Sequence, residues 1–354
     1  MKQLCLGLLH GDGIGPEISE ATKNVVEAAF DSLSESRLTW KPLPMGWEAI
    51  RSHSDPLPVK TLEGLKQCDA WVMGPHDSVS YPSEMRERLN QSGSIRKHFD
   101  LYANIRPSRT PLGLPGLVGD MDLVIVRENT EGFYADRNMH MGNGEFMPTE
   151  DTALAVGVFT RRASERIART AFELATSRRK LVSIVHKANV LRSSNGLFVN
   201  CCKKIAREFP DVAVNDFHID AMTSLLVRQP MEFDVIVTTN MFGDILSDLA
   251  AELSGSLGIG GALNCGEHHA MAQASHGGAP DLAGTGKANP CGLILSAGML
   301  LDWLGRRHSN PELQDASRRL ENAVYQTLAS GTRTPDLGGT STTLEMAEAI
   351  ARRL

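Results

Sequence analysis

The sequence predicts an α/β protein in which parallel or mixed sheets are flanked by helices. Short, almost uninterrupted apolar runs alternate with amphipathic stretches along the 354 residues, which is the pattern of buried strands connected by helices. A chain of this length also exceeds a typical single domain. We therefore expect two α/β domains with substantial cores.

The elements follow from the spacing of apolar residues. A strand at 4–9 leads into a helix at 16–30, where Pro16 stands at an early helical position. The later elements are the strands 70–73, 123–126, 181–185 and 233–239 and the helices 196–209 and 244–253. A proline-rich stretch at 107–115 and a glycine-rich stretch at 255–263 indicate where the chain crosses between domains.

The composition argues against several functions. A formal net charge of -6 and a pI near 6.0 disfavour a nucleic-acid partner. No run of about 18 apolar residues is present to span a membrane, and the N-terminal stretch lacks a signal-peptide cleavage site. The six cysteines form no CxxC pattern, so we expect reduced thiols in a cytoplasmic protein.

Two aspartates four residues apart, Asp244 and Asp248, lie in the predicted helix 244–253. This spacing places both carboxylates on one helix face, about one turn apart. Like charges so placed repel each other, and a hard divalent cation such as Mg²⁺ or Mn²⁺ would relieve the repulsion. The spacing alone leaves open a second interpretation, a solvated acidic face near the start of a helix.

Charged residues follow four of the apolar runs. Arg127, Lys187, Asp220 and Asp244 each come at or soon after the end of such a run. Ligands of open α/β sheets bind at the carboxyl ends of strands. A buried charge is costly unless it is paired with an opposite charge or binds a metal. We therefore expect these side chains to belong to a functional site.

Three arginines, Arg96, Arg106 and Arg127, are candidates for binding a di- or tricarboxylic acid, because a guanidinium group binds a carboxylate through two hydrogen bonds. For any one of them, a salt bridge or a surface role is the alternative. Tyr134 and Lys187 supply a phenol and an amine that can transfer protons. Either could instead be a structural polar residue.

Two glycine-rich segments are candidate phosphate-binding loops. HGDGIGPE (10–17) follows the first strand, but its glycines read GxGxG, without the third glycine at the spacing of a Rossmann fingerprint and without an acidic residue at the right distance. A strand-to-helix turn therefore explains it. In the second segment, His276, Gly277 and Gly278 offer backbone N–H groups to phosphate oxygens. A carboxylate at Asp281 would bind ribose hydroxyls and repel a 2′-phosphate, which favours NAD over NADP. An ordinary surface loop is the alternative.

Together these segments resemble the isocitrate/isopropylmalate dehydrogenase family of β-decarboxylating 2-hydroxyacid dehydrogenases. The resemblance runs nearly end to end, and in length and NAD loop the chain is most similar to the 3-isopropylmalate branch. It is carried by the segments GDGIGPE, RKHFDLYANIRP, RENTEGFY, HKANV, IDAM, NMFGDILSDLAAELSGSLG, HGGAPDLAGTGKANP and LGGTSTT.

The resemblance implies a two-domain, isopropylmalate-dehydrogenase-like fold that is not a Rossmann fold. Residues 1–100 and 252–354 would form the first, cofactor-binding domain. Residues 101–251 would form the second, which holds the metal and substrate residues. An arm at about 135–155 would build a homodimer with shared active sites.

The resemblance also implies roles for individual residues. Asp244 and Asp248 would hold Mg²⁺ or Mn²⁺ together with Asp220 of the partner subunit, and the three arginines would hold the substrate carboxylates. Tyr134 and the partner subunit's Lys187 would transfer protons. The NAD-binding residues would be Ile14, Asn189, His276, Gly277, Gly278, Ala279, Asp281, Leu282 and Asn289.

The implied activity is NAD-dependent and metal-dependent oxidative decarboxylation of a 3-substituted (2R)-malate-type acid, as for 3-isopropylmalate. The segment before Arg96, from Leu89 to Ser94, is polar. There Asn90 and Ser92 are candidate contacts for the substituent on C3. A branched alkyl group would forgo roughly 0.8 kcal/mol per CH₂ in such a pocket, so isocitrate, homoisocitrate, tartrate, D-malate and a phosphonate analogue stay open as substrates.

Gln273 is a further departure from the pattern of the family, because relatives often carry Glu at this position. The loss of that charge would alter contacts on the nicotinamide side. Two competing functions fit the residues less well. A non-catalytic regulatory subunit would have lost the Tyr, Lys or Asp residues, and all of these are present. A metal-dependent hydrolase or lyase would leave the HGGAPD loop unexplained.

Overall fold

The computed structural model describes residues 2–86, 90–114, 116–134 and 139–354. The strands of the described residues are β1 (Lys2–Leu9), β2 (Ser36–Pro42), β3 (Ala70–Met73), β4 (Ala103–Arg109), β5 (Asp122–Glu128), β6 (Glu145–Thr149), β7 (Thr152–Ala155), β8 (Leu181–His186), β9 (Ala213–His218), β10 (Val235–Thr238), β11 (Leu263–Cys265) and β12 (Ala270–Ala272). Their α-helices are α1 (Gly15–Asp31), α2 (Trp47–His53), α3 (Val59–Leu65), α4 (Ser83–Arg86), α5 (Gln91–His98), α6 (Arg161–Thr176), α7 (Ser194–Ala206), α8 (Ile219–Arg228), α9 (Asn240–Ser254), α10 (Cys291–Arg307), α11 (Pro311–Ala329) and α12 (Thr343–Ala351).

One large mixed sheet organises these elements. Its strand order is β2-β1-β3-β12-β11-β4-β5-β10-β8-β9. Pairing is antiparallel from β12 through β11 and β4 to β5. The pairs formed among β5, β10, β8 and β9 are parallel. The carboxyl ends of these four strands therefore lie at the same edge of the sheet.

Helices cover both faces of the sheet, which explains the nearly continuous apolar strands. Leu6 of β1 and Ile18 of α1 belong to the largest hydrophobic core. Trp71 of β3 belongs to a second core. Ile125 of β5 and Leu246 of α9 belong to a third core. The buried side of α9 thereby fixes the helix against the strands that precede the candidate site.

The predicted α/β class, with a mixed sheet between helices, is confirmed. The strands from the two chain ends occupy one half of the sheet, and those from 101–251 occupy the other half. The domain division itself stays a prediction. In the predicted arm at 135–155, the exposed strands β6 and β7 pair antiparallel, and residues 135–138 lie outside the described residues. Leu89, in the segment before Arg96, also lies outside the described residues. In the described parts of the chain, no helix is long and apolar enough to cross a membrane.

Candidate active site

Helix α9 carries the polar face on which the candidate site is built. The helix begins at Asn240, close behind the end of β10 at the carboxyl edge of the sheet. Asp244 comes four residues after Asn240, and Ser247 and Asp248 come three and four residues after Asp244, so all four share one face. The predicted aspartate pair is therefore part of a longer polar stripe that faces β4 and β5.

Arg127 of β5 is almost completely buried and binds this stripe. Its Nε and Nη2 atoms donate to Asn240 Oδ1 at 3.0 and 2.7 Å, and its Nη1 donates to Asp244. The helix can approach this closely because residue 243 is glycine. A Cβ atom at Gly243 would lie 2.6 Å from Arg127 Cβ.

Arg106 of β4 binds the next turn of α9. Its Nη1 donates to Ser247 Oγ at 2.7 Å and to Asp248 Oδ1 at 3.0 Å, and its Nη2 lies 3.4 Å from Asp244 Oδ1. Tyr134 Oη also donates to Asp244. The structure thus brings together two of the predicted arginines, the predicted phenol and the predicted acidic pair.

The arginines set the protonation of the two aspartates. Burial raises the pKa of Asp244, but the charges of Arg127 and Arg106 outweigh it, so this pKa lies below its ordinary value. Burial raises the pKa of Asp248, Arg106 opposes the rise, and the charge of Asp244 adds to it. A cation between the two carboxylates would favour their ionised forms.

A second polar group lies where α5 meets the residue that follows β12. Gln273 Oε1 accepts hydrogen bonds from Ser92 Oγ and from Arg96 Nη2, both at 3.0 Å. Asn90 is the N-cap of α5, and its Oδ1 accepts from Gly93 N at 2.7 Å. Both predicted substituent contacts, Asn90 and Ser92, therefore also have structural partners.

These groups border one cleft of about 220 Å³. The predicted site residues that line it are Asn90, Ser92, Arg96, Arg106, Arg127, Tyr134, Asp244, His276 and Gly277. Its other described lining residues are Pro75, His76, Gln273, Ala274 and Ser275. Two other cavities, of about 270 and 500 Å³, are lined by none of the predicted site residues. We take the smaller cleft as the candidate active site because the chemistry converges there.

Lys187 and Asp220 form a separate pair outside this cleft. Lys187 Nζ donates to Asp220 Oδ1 at 2.5 Å, and this hydrogen bond lowers the pKa of Asp220. Lys187 and Asp220 follow the neighbouring strands β8 and β9, and β9 is the last strand at that edge of the described sheet. Within the described part of one chain, no group of three His, Cys, Asp or Glu residues could hold a metal. Contribution of Lys187 and Asp220 by a partner subunit stays a prediction.

The predicted cofactor loop is attached to the loop after β1. Ile14 N donates to Gly278 O at 2.8 Å. Gly13 has a positive φ of 59°, and a Cβ atom there would lie 2.0 Å from the same oxygen, so only glycine fits. GDGIGPE is the strand-to-helix turn that was expected, and it also supports the second glycine-rich loop.

The remaining predicted cofactor residues differ in their surroundings. Ala279 has a left-handed φ of 39°, and Asp281 and Leu282 follow in a short exposed turn. Asn289 is buried, where its Nδ2 donates to an Asp336 carboxylate oxygen at 3.0 Å. Asn189 is exposed. Their roles toward a cofactor stay predictions.

Sequence reasoning missed Asn240 and His76. Asn240 stands four residues before Asp244, so the spacing that found the aspartates would have found it. His76 borders the cleft, and its Nδ1 atom is shielded from solvent without a hydrogen-bond partner among the described residues. Burial and the nearby charge of Arg96 lower the pKa of His76 to about 4. No motif marks this histidine.

Comparison with known proteins bears on the resemblance. A sequence model for the isocitrate/isopropylmalate dehydrogenase family matches residues 5–350. The chain is 42% identical to the isocitrate/homoisocitrate dehydrogenase of Thermus thermophilus over 348 residues, which covers 98% of this chain and 97% of the relative. It is 39% identical to the 3-isopropylmalate dehydrogenase of Archaeoglobus fulgidus over 355 residues, covering 100% of both chains.

Solved structures agree with these matches. The crystal structure of isocitrate dehydrogenase from Methylococcus capsulatus is similar with a TM-score of 0.88, at 39% identity and with 99% of both chains covered. The predicted resemblance is confirmed, and so is the prediction of an enzyme that is an oxidoreductase acting on CH–OH groups. The names of the relatives differ in their substrates, so they do not fix the substrate of this chain.

Proposed function

We propose that this chain, which belongs to the isocitrate/isopropylmalate dehydrogenase family, catalyses NAD-dependent and divalent-metal-dependent oxidative decarboxylation of a 3-substituted (2R)-malate-type acid. The observation that supports it is the make-up of the cleft. Arg96, Arg106 and Arg127 line it together with Tyr134 and Asp244. Groups suited to carboxylates, to proton transfer and to a metal therefore meet at one place.

The acidic pair fits a hard divalent cation. Asp244 and Asp248 present carboxylate oxygens on one face of α9, and Mg²⁺ and Mn²⁺ prefer such ligands. Arg106 contacts both carboxylates in the single chain, so the pair already has a cationic partner. When bound, the cation would polarise the oxygen on C2, and NAD⁺ would accept the hydride from C2.

The residues of the chain orient the acid and move its protons. The guanidinium groups of Arg106 and Arg127 are held by α9 and would bind substrate carboxylates through paired hydrogen bonds. Lys187 Nζ of the partner subunit would take the proton of the C2 hydroxyl. Tyr134 Oη lies beside Asp244 and would protonate the carbon that loses CO₂.

The end of the cleft near α5 favours a polar substituent on C3. Among the described lining residues, only Pro75 and Ala274 carry apolar side chains. An isopropyl group would forgo roughly 0.8 kcal/mol per CH₂ against the other side chains. The Thermus thermophilus relative is named an isocitrate/homoisocitrate dehydrogenase. We therefore favour an acid of that type over 3-isopropylmalate.

The cofactor and the assembly are part of the same proposal. The carboxylate of Asp281 in the glycine-rich loop favours NAD, because it would repel the 2′-phosphate of NADP. The Lys187–Asp220 pair lies outside the cleft of its own chain. A homodimer in which each chain supplies this pair to the cleft of the other would complete both sites.

A substrate panel tests the proposal. The purified protein would be supplied with Mn²⁺ and either NAD⁺ or NADP⁺, and reduction of the cofactor followed by absorbance. The acids would be isocitrate, homoisocitrate, 3-isopropylmalate, D-malate, tartrate and a phosphonate analogue. We expect NAD⁺ reduction and CO₂ release with at least one of the first two. If no malate derivative reduced NAD⁺, the proposed reaction would be wrong.

A further inference from the structure

We propose that a cavity behind the candidate active site is an effector site for a zwitterionic α-amino acid with an apolar side chain. This rear cavity has a volume of about 270 Å³. Among the residues that line it are Ile105, Pro107, Arg109, Val124, Glu321 and Tyr325. The inference goes beyond the proposed reaction, because binding of the amino acid requires neither the metal nor the cofactor nor the substrate.

The rear cavity lies on the face of β4 and β5 that points away from α9. In this antiparallel pair, Pro107 lies opposite Val124 and Arg109 lies opposite Asp122, and all four line the rear cavity. Arg106 stands between two of them on β4 and faces the other way, where it binds α9. The rear cavity and the active-site cleft are therefore back to back across the same two strands.

The two walls of the rear cavity come from the two predicted domains. One wall consists of β4, β5 and the end of α6, with Leu174, and the other consists of α10 and α11, with Met299 and Tyr325. A hinge movement that closes the cleft on one face of the sheet separates these walls on the opposite face. A ligand that contacts both walls therefore opposes closure of the cleft.

The walls present two poorly compensated charges of opposite sign. Arg178 and Asp122 neutralise each other through a hydrogen bond of 2.8 Å. Arg109 Nη1 and Glu321 Oε1 are 3.7 Å apart, and neither side chain makes a hydrogen bond within the described part of the chain. Burial raises the pKa of Glu321, Arg109 opposes the rise and Asp122 adds to it. A carboxylate on Arg109 and an ammonium group on Glu321 would pair both charges.

Tyr325 adds a hydrogen-bond donor on the same wall as Glu321. The Arg109 guanidinium lies over its ring, 5.1 Å from the centroid. Burial raises the pKa of Tyr325, so its hydroxyl stays protonated at neutral pH. That hydroxyl has no hydrogen-bond partner among the described residues, which is costly for a group shielded from water. It is placed to donate to the carboxylate that Arg109 binds.

The rest of the lining offers apolar surface to a small molecule. Ile105, Leu174, Leu295 and Met299 pack against the main core but are only partly buried. A volume of about 270 Å³ equals roughly nine water molecules, whereas drug-sized ligands occupy roughly 300–1,000 Å³. An amino acid with one apolar side chain matches this size and this surface, as well as the two charges.

Calorimetry on the purified full-length protein, without Mn²⁺, NAD⁺ or substrate, tests the binding. The probes are valine, leucine, methionine and phenylalanine. Two analogues of the tightest probe follow, the acid that lacks its amino group and the amine that lacks its carboxyl group. We expect a Kd of about 1 mM or tighter for at least one amino acid. Both analogues should bind roughly tenfold more weakly or worse.

The variant Glu321→Gln distinguishes the rear cavity from the arginine-lined cleft. It keeps the shape of the side chain but removes the charge for the ammonium group. It should weaken binding of the amino acid by roughly tenfold and should not weaken binding of the deaminated acid. The matched control is Glu348→Gln on α12, because Glu348 is half-exposed and lies 3.6 Å from Arg352. The control should leave both Kd values unchanged, and thermal unfolding shows that each variant is folded.

The effector role is tested with Mn²⁺, NAD⁺ and the acid that the substrate panel identifies, and this arm rests on the proposed function. A saturating amino acid should raise the KM for the acid several-fold with little change in kcat. By reciprocity, the acid should weaken binding of the amino acid by the factor by which the amino acid weakens calorimetric binding of the acid. Glu321→Gln should need roughly tenfold more amino acid for the same rise in KM.

A second variant keeps the inference testable if Glu321→Gln does not fold. Tyr325→Phe removes only the phenolic oxygen and should weaken binding of the amino acid several-fold. The inference is overturned if no probe binds at about 10 mM, if the deaminated acid binds as tightly as the amino acid, or if Glu321→Gln leaves binding unchanged. Occupancy without an effect on KM would refute the effector role. Absence of turnover with every acid would refute the proposed reaction, while calorimetry would still decide whether the rear cavity binds the amino acid.

Discussion

Replacing Asp244 by Asn tests the metal assignment and the stability of the arginine cluster in one variant. Asp244 accepts hydrogen bonds from Arg127 and Tyr134 and lies 3.4 Å from Arg106. Asparagine keeps the shape of the side chain but removes the anion that two buried guanidinium groups share. Removing one partner of a buried ion pair costs about 3–5 kcal/mol. Because the Asp244 side chain is 33% exposed, we expect a loss of about 2 kcal/mol in the free energy of unfolding.

The loss should depend on pH with a defined sign. The arginine charges hold the pKa of Asp244 below its ordinary value despite burial. The stability that Asp244 contributes is therefore complete above the pKa of an unfolded aspartate, roughly 4, and is lost as the pH falls through the lower pKa of the folded state. Wild type and Asp244→Asn should differ most near neutral pH and converge in acid.

Urea unfolding with and without Mn²⁺ measures both effects. At pH 7 without divalent cations, Asp244→Asn should be less stable than wild type. A ligand at a hundred times its Kd stabilises a folded protein by about 2.7 kcal/mol, and this gain should be seen in wild type and be largely absent from the variant. The control is Asp315→Asn on the exposed side of α11, where we expect a change within about 0.5 kcal/mol.

Two results would refute this reasoning. If Mn²⁺ stabilised Asp244→Asn as strongly as wild type, Asp244 would not be a metal ligand, and the interpretation of the four-residue spacing would fail. If the variant were as stable as wild type at pH 7 without metal, Arg106 and Arg127 would not depend on the aspartate.

Three further predictions concern the partner, the cofactor and a missed histidine. If two chains share each site, mixing inactive Asp220→Asn with inactive Asp244→Asn should restore roughly a quarter of wild-type turnover, because half of the dimers are mixed and each has one intact site; no recovery after subunit exchange would argue against sharing. Asp281→Lys should raise the kcat/KM ratio of NADP⁺ to NAD⁺ by roughly tenfold or more, and a ratio unchanged in steady-state kinetics would remove Asp281 from the cofactor site. The pKa of His76 is lowered to about 4 by burial and by Arg96, so the unfolded chain takes up its proton first as the pH falls below about 6.5. Wild type should therefore lose up to about 3 kcal/mol relative to His76→Gln between pH 6.5 and 4 in denaturant titrations, and parallel stability curves would contradict this.

The α9 aspartates and the strand-end arginine were predictable because local rules place them. Helical spacing aligns Asp244 with Asp248, and Arg127 stands in an apolar run that ends at the carboxyl edge of the sheet. The contacts of Gln273 were not predictable from such rules, since its partners on α5 lie more than 170 residues away. Only the folded sheet brings β12 beside that helix.

Strand β4 shows another limit of the sequence pattern. The stretch 107–115 was predicted as a crossing between domains, which stays a prediction, and no strand was predicted before it, whereas β4 continues through Pro107 to Arg109. A proline lacks the N–H that a central strand position needs. Pairing with β11 reaches only Ile105, so beyond this residue β4 pairs with β5 alone. The strands β11 and β12 have three residues each, too few for a periodic pattern to predict.

The charges assigned to the site connect the metal with the substrate class. Arg96, Arg106 and Arg127 oppose Asp244 and Asp248, which leaves one net positive charge among these five side chains. A divalent cation raises the balance to three positive charges. In the proposed dimer, the partner subunit's Lys187 must be neutral to take the proton of the C2 hydroxyl, so its pair with Asp220 adds one negative charge, and the nicotinamide of NAD⁺ offsets it with one positive charge. A tricarboxylic acid cancels this charge, whereas a dicarboxylic acid leaves one positive charge uncompensated in a partly buried cleft.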